Sequence, residues 1–148
     1  MQDKKIVIVS DHAGFSLKKA LVSYLETKGY EVLDLGPETE KNAVDYPLQG
    51  EKLADSIHKG AAERGIAICG SGIGICMAVN RFPFIRGALV YEKNAAELAR
   101  EHNDANVLCL GGRLTDEETA KQLVDVFLNT PFEGGRHEKR VQELGGLS

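Results

Sequence analysis

Five short apolar runs alternate along this chain with longer segments whose apolar residues recur at helical spacing. The runs predict strands at 5–10, 31–35, 66–69, 88–91 and 107–110. The segments between them predict helices at 15–28, 48–64, 75–79, 95–102 and 116–128, the last opened by a capping box of Thr115 and Glu118. Strands that are apolar throughout and alternate with helices form βαβ units around a parallel sheet. The sequence therefore predicts an α/β fold with a five-stranded parallel sheet.

Length, charge and cysteine content narrow the class of protein. A chain of 148 residues suits one domain, which we expect to span residues 1–148. The formal net charge of −4 argues against nucleic acid as the main partner, and no apolar run reaches the length of a membrane helix. The cysteines Cys69, Cys76 and Cys109 form no CxxC pair, and the four histidines lack metal-ligand spacing. We expect a cytoplasmic protein without bound metal.

The loop CGSGIG, directly after the third predicted strand, carries the most chemical information. Ligands of open parallel sheets collect at the carboxyl ends of the strands. Gly70, Gly72 and Gly74 let the backbone turn tightly, so that successive N–H groups point into one concavity that binds an anion. A plain tight turn is one alternative, and a dinucleotide loop with Glu92 as the ribose-binding acid is the other. That motif requires a third glycine where Ile75 stands, and it follows the first strand of such folds.

Two further strand-end motifs offer reactive side chains. Cys69 closes the third strand, where amide groups at a helix N-terminus stabilise a thiolate, so it is a candidate base with Ser71 stabilising an oxyanion. A buried cysteine that merely fills the core is the alternative. Asp11 and His12 follow the first strand, where Asp11 is equally suited to cap the next helix.

Two other candidates lie near helix ends. His102 follows a predicted helix, where it is either a site residue or a cation that complements the helix dipole. Tyr46 precedes another helix and is either a core residue or a ligand contact.

The tail from residue 131 onward differs from the rest of the chain. EGGRHEKR places a Gly-Gly hinge before a short basic segment. In a helix, Arg136, His137 and Arg140 share one face that suits a phosphate, although a solvated charged helix is the alternative. Arg113, after the fifth strand, is placed to reach the same anion. We predict a basic helical arm over residues 131–148 that packs on a partner chain.

Six motifs in order cover nearly the whole chain: SDHAG, DYP, ICGSGIG, REHNDAN, GGR and EGGRHEKR. Together they resemble the ribose-5-phosphate isomerase B family, which includes the galactose-6-phosphate and allose-6-phosphate isomerases. The resemblance implies a Rossmann-like three-layer α/β/α sandwich and a homodimer or tetramer with each active site at the subunit interface. It also implies interconversion of phosphorylated aldoses and ketoses, typically ribose 5-phosphate and ribulose 5-phosphate, without metal or organic cofactor.

The resemblance also assigns roles to individual residues. Cys69 is the base that moves a proton between C1 and C2 of the open sugar, Ser71 helps the glycine loop to hold the enediolate oxygens, and His102 opens the furanose ring. The remaining matches hold the enediolate (Gly70, Ser71, Gly72, Ile73, Gly74), contact the sugar (Asp11, His12, Tyr46, Asn103) and bind the phosphate (Arg113, Arg136, His137, Arg140).

Departures from the family pattern concern the base and the sugar. Ser71 replaces the threonine of many relatives and keeps the hydroxyl, while Ile75 stands where another subgroup carries a catalytic glutamate, so the base is Cys69. The stretches RFPF and PETEKNAV match no pattern we can interpret. A six-carbon sugar phosphate and a non-catalytic nucleotide- or phosphate-binding module are the alternative functions.

Overall fold

The computed structural model describes residues 4–146, which form five strands and six α-helices. The strands are β1 (Lys5–Ser10), β2 (Glu31–Asp34), β3 (Arg64–Cys69), β4 (Gly87–Leu89) and β5 (Val107–Gly111). The helices are α1 (Phe15–Thr27), α2 (Tyr46–His58), α3 (Ile73–Val79), α4 (Lys93–Glu101), α5 (Glu117–Asn129) and α6 (Arg136–Gly145). Within residues 4–146, no helix has the length and apolar character needed to cross a membrane.

The strands form one parallel sheet in the order β2-β1-β3-β5-β4. Neighbouring side chains along each central strand point to opposite faces, so each strand contributes to two cores. One core packs β-strand residues such as Ile8 and Leu108 against α1, α4 and α5. The other packs residues such as Val7 and Cys109 against α2 and α3. The expected three-layer α/β/α sandwich with a five-stranded parallel sheet is therefore confirmed.

The chain changes direction across the sheet between β1 and β3. From β1 it passes through α1 to β2 on one side, and from β2 it returns through α2 to β3 on the other side of β1. Because α1 and α2 cover opposite faces, a crevice opens between the carboxyl ends of β1 and β3. The segments that follow these two strands, Asp11–Gly14 and Gly70–Gly72, meet at this crevice.

Several element boundaries differ from the sequence predictions, among them ends of α2, α3 and α5. Helix α2 ends at His58 rather than at residue 64, because the chain turns at Gly60 with φ +86° and Arg64 already opens β3. Helix α3 begins at Ile73, two residues before the predicted start. Helix α5 is capped by Asp116, whose carboxylate accepts from Thr119 N, so the capping box predicted at Thr115 is wrong.

The basic tail forms α6 after a loop with two glycines at positive φ, Gly134 and Gly135. The last two residues of the predicted arm, 147–148, lie outside the described residues. The start of the tail contacts its own chain, because Glu133 N donates to Glu101 O at the end of α4 (3.1 Å).

Candidate active site

The glycine loop connects the buried end of β3 to α3 and holds Cys69 at its base. Gly72 adopts a left-handed conformation with φ +85°, and a Cβ there would lie 2.7 Å from Leu89 Cδ1. Only glycine fits this position without strain. The turn directs Gly72 N–H to Cys69 Sγ (3.2 Å), so a backbone amide donates directly to the thiol. Such a contact stabilises a thiolate more than a neutral thiol.

Ser71 lies within the loop, and Tyr46 packs against it. Ser71 Oγ accepts from Ile73 N (3.1 Å), which leaves its O–H proton to donate elsewhere. The Tyr46 ring lies against Gly74, where a Cβ would come within 2.8 Å of Cε1 and Cζ. Tyr46 itself is exposed, so its ring forms part of the crevice rather than of the core.

Asp11 and His12 lie beside the loop because the main chain after β1 is bonded to β3. Asp11 N donates to Ile68 O (3.0 Å), and Asp11 Oδ1 accepts from Gly14 N (3.0 Å). Asp11 thus caps the short 3₁₀ turn His12–Gly14, not the α-helix directly. His12 Nδ1 accepts from Val44 N (3.3 Å), so its Nε2 carries the proton when the ring is neutral.

Arg113 extends the same group of residues. Its N–H donates to Gly70 O (2.9 Å), and its Nη1 would lie 3.1 Å from a Cβ at Gly70. The exposed guanidinium is therefore held over the glycine loop. A positive charge here suits a phosphorylated ligand.

A second group of the predicted residues gathers around the end of α4. The ring of His102 stacks on that of His137 with centroids 4.2 Å apart and planes 15° apart. Glu133 Oε1 lies 3.5 Å from His137 Nε2 and 3.9 Å from His102 Nε2. The exposed Arg136 and Arg140 act electrostatically on His137, and the exposed Asn103 directly follows His102 in the chain.

Electrostatics in this second group favour a neutral His137. Burial of its ring, and then repulsion by His102 and Arg136, hold the pKa of His137 below its usual range. The group also contains three potential metal-ligating side chains, His102, Glu133 and His137. A metal bound to both imidazoles has to lie near both ring planes, and planes this nearly parallel do not meet near the two nitrogens. The rings form a stack rather than a ligand set.

The two groups lie at opposite edges of the sheet. Cys69 ends β3 at the carboxyl edge, whereas α4 carries the chain back to the amino edge, where His102 follows it. The nine residues of α4 span about 14 Å at 1.5 Å per residue, far beyond hydrogen-bond reach. A single chain therefore brings Cys69 together with Asp11 and Arg113, but not with His102 or the arm.

Sequence reasoning overlooked two neighbours of these groups. Tyr91, two residues beyond β4, donates its hydroxyl to Ser71 O (2.7 Å), although the sequence predicted it only as the last residue of the strand 88–91. Glu133 contacts both stacked histidines, although it had no role beyond its place in EGGRHEKR. Glu92, the supposed ribose-binding acid of a dinucleotide site, instead accepts from Asn94 N and Ala95 N as the cap of α4.

Comparison with known proteins places this geometry in a family. The model of the ribose/galactose isomerase family matches residues 6–144. The chain belongs to this family. Membership confirms the resemblance seen in the motifs and the expectation of an enzyme of the aldose–ketose isomerase class.

Individual family members resemble the chain over nearly its whole length. A probable ribose-5-phosphate isomerase B of Mycoplasma genitalium is 45% identical over 141 residues, 94% of this chain and 92% of the relative. A solved ribose 5-phosphate isomerase of Thermotoga maritima is 48% identical with a TM-score of 0.94, covering 97% of this chain and 98% of that one. The structure of ribose-5-phosphate isomerase B from Mycoplasma genitalium with bound ribulose-5-phosphate is 42% identical with a TM-score of 0.92, covering 96% and 94%.

Proposed function

We propose that this family member interconverts ribose 5-phosphate and ribulose 5-phosphate, with Cys69 as the proton-transferring base. The substrate class is supported by the family relatives, including one that binds ribulose 5-phosphate. The observation that carries the mechanism is the hydrogen bond from Gly72 N–H to Cys69 Sγ at the base of the glycine loop.

The chemistry proceeds from the aldose in its open form. The Cys69 thiolate removes the proton from C2, and the electron pair of that bond forms a C1=C2 double bond while the C1 oxygen becomes an anion. Amide N–H groups of the loop and the Ser71 hydroxyl stabilise this enediolate, and loss of one such donor typically costs about 10² to 10³ in rate. The proton on O2 passes to O1, the Cys69 thiol returns its proton to C1, and the ketone forms at C2.

We propose that the complete site forms between two chains. His102 is required to open the ring and Arg136, His137 and Arg140 to bind phosphate, yet these residues lie at the amino edge of their own chain. A partner's amino edge placed against the carboxyl edge brings them to Cys69 and Arg113. Exposed apolar side chains on α2 and α3 support contact there: Leu48 (59% exposed), Ile73 (46%) and Met77 (66%).

The substrate and compartment follow from the same considerations. The phosphate-binding arginines fit any sugar phosphate, so a six-carbon substrate is the alternative. Three free cysteines occur in the described chain, which fits the reducing cytoplasm. Turnover of ribose 5-phosphate, allose 6-phosphate and galactose 6-phosphate, each followed by NMR in the presence of EDTA, identifies which sugar is the substrate. Conversion of a hexose phosphate alone contradicts the pentose assignment.

The test of the mechanism is Cys69→Ala. We expect turnover to fall by at least about 10³-fold, because the base is lost. Ribulose 5-phosphate binding, measured by calorimetry, should stay within a few-fold of the unsubstituted protein. Cys76→Ala is the matched control, since the Cys76 thiol bonds Gly87 O and Asn80 Nδ2 rather than a group of the loop and should be dispensable. Near-normal turnover by Cys69→Ala excludes the proposed base.

A further inference from the structure

Tyr91 acts on the glycine loop from a neighbouring strand. It lies two residues beyond β4, is 41% exposed, and donates its hydroxyl proton to Ser71 O (2.7 Å). The accepting carbonyl is also closely packed against β5, since a Cβ at Gly111 would come within 2.5 Å of Ser71 O. None of the six family motifs includes this tyrosine.

The carbonyl that Tyr91 holds belongs to the same peptide unit as the amide that contacts Cys69. The unit joins Ser71 to Gly72: its C=O accepts from Tyr91, and its N–H donates to Cys69 Sγ (3.2 Å). A peptide unit is planar, so fixing the direction of the C=O fixes the direction of the N–H. Hydrogen bonding at the oxygen also polarises the unit and strengthens the donor at the other end.

We propose that Tyr91 is a positioning residue that stabilises the Cys69 thiolate through the Ser71–Gly72 peptide. Gly72 has φ +85° with the unusual freedom of glycine, and the tyrosine hydroxyl restricts rotation of the peptide that precedes it. The inference rests on the proposed role of Cys69 as base, but it concerns the ionisation of the thiol and is measurable without substrate.

Other ionisable groups close to the thiol have to be kept constant in a test. Arg113 lies over Gly70, Asp11 is bonded to the end of β3, and Cys109 lies on the same face of the sheet. Hydrogen bonding to Cys76 and burial raise the pKa of Cys109 well above its usual range. Hydrogen bonds from Cys109 and Asn80 hold the pKa of the half-buried Cys76 below its usual range, so Cys76 is the competing thiol.

The test is Tyr91→Phe in a Cys76→Ala background. Alkylation of Cys69 by iodoacetamide is measured by peptide mass spectrometry across pH. A hydrogen bond contributes about 1 kcal/mol, so we expect alkylation about fivefold slower on the acid side of the profile, with its midpoint at higher pH. The plateau at high pH should not change, because there the thiol is ionised in both proteins. We also expect kcat for ribose 5-phosphate to fall about fivefold with KM within twofold.

Tyr24→Phe in the same background is the matched control, since it removes a tyrosine hydrogen bond to Asp125 between α1 and α5. It should leave both measurements unchanged. An unchanged alkylation midpoint in Tyr91→Phe overturns the inference, as does a change of the plateau alone, which indicates altered access. If Cys69→Ala abolishes turnover while Tyr91→Phe has no effect, only the role of Tyr91 fails. If Cys69→Ala retains turnover, the proposed base fails, and the alkylation profile still decides the role of Tyr91.

Discussion

Two inactive variants, Cys69→Ala and His102→Asn, should restore activity to each other when they are combined in one dimer. The prediction follows from the position of the two residues at opposite edges of the sheet. Helix α4 alone separates these edges by about 14 Å, whereas proton transfer requires groups within about 3 Å of the reacting atoms. No side-chain rotation within one chain closes such a gap.

The magnitude follows from counting sites. A dimer of one Cys69→Ala chain and one His102→Asn chain contains one site with both native residues and one site with neither. We therefore expect about half of the unsubstituted activity per dimer, with KM unchanged. Alone, Cys69→Ala should lose at least about 10³-fold and His102→Asn about 10² to 10⁴-fold in kcat, which makes the recovered activity easy to detect.

The assay uses two differently tagged chains, co-expressed and purified over both tags, with ribose 5-phosphate turnover followed by NMR. A reciprocal heterodimer provides the control: one chain carries both substitutions, and the other carries neither. If each site is built from two chains, both sites of this reciprocal heterodimer lack one native residue, so the heterodimer should be inactive. If the reciprocal heterodimer has half of the activity and the first has none, each site lies within one chain and the proposed assembly is refuted.

Two further predictions concern stability. Lys18→Met should lower the free energy of unfolding by about 2 kcal/mol, because the buried ammonium of Lys18 bonds both Asp34 oxygens and Pro37 O (2.7–3.0 Å). Urea unfolding of Lys18→Met and of the exposed control Lys19→Met checks this prediction. Equally small losses of unfolding free energy in the two variants contradict it. For His137, the lowered pKa means that the unfolded chain binds more protons as pH falls below about 7, so acid lowers stability. His137→Asn should lessen the fall in urea midpoint between about pH 7 and 5; an unchanged fall contradicts the assignment.

The fold was predictable wherever local pattern decides it. Strand β1 matches its predicted bounds, and the other strands match to within two residues, because a short apolar run limits both position and length. Helix ends were less predictable. Thr115 and Asp116 both suit a cap by composition, and only the backbone path shows that Asp116 reaches the N–H of Thr119.

The candidate site was predictable at the carboxyl edge for a general reason. Parallel strands end at a common edge, so the residues after β1, β3 and β5 converge there in any such fold. The same alternation of strands and helices also requires α4 to end at the opposite edge. As a result, His102 lies at the opposite edge of the sheet from Cys69. The motifs do not reveal this separation, because they give the order of residues along the chain and not their position in the sheet.

By itself, the sequence determined the alternation of strands and helices, the glycine loop that follows Cys69 and the family motifs, because each depends on residues near one another in the chain. Only the tertiary structure decided that β5 lies between β3 and β4, that His102 stacks on His137, and that Tyr91 reaches the carbonyl of Ser71. Tyr91 and Ser71 are 20 positions apart, and their contact depends on how β4 and β3 are arranged around β5. Contacts of this kind arise from the packing of whole elements, which local periodicity does not specify.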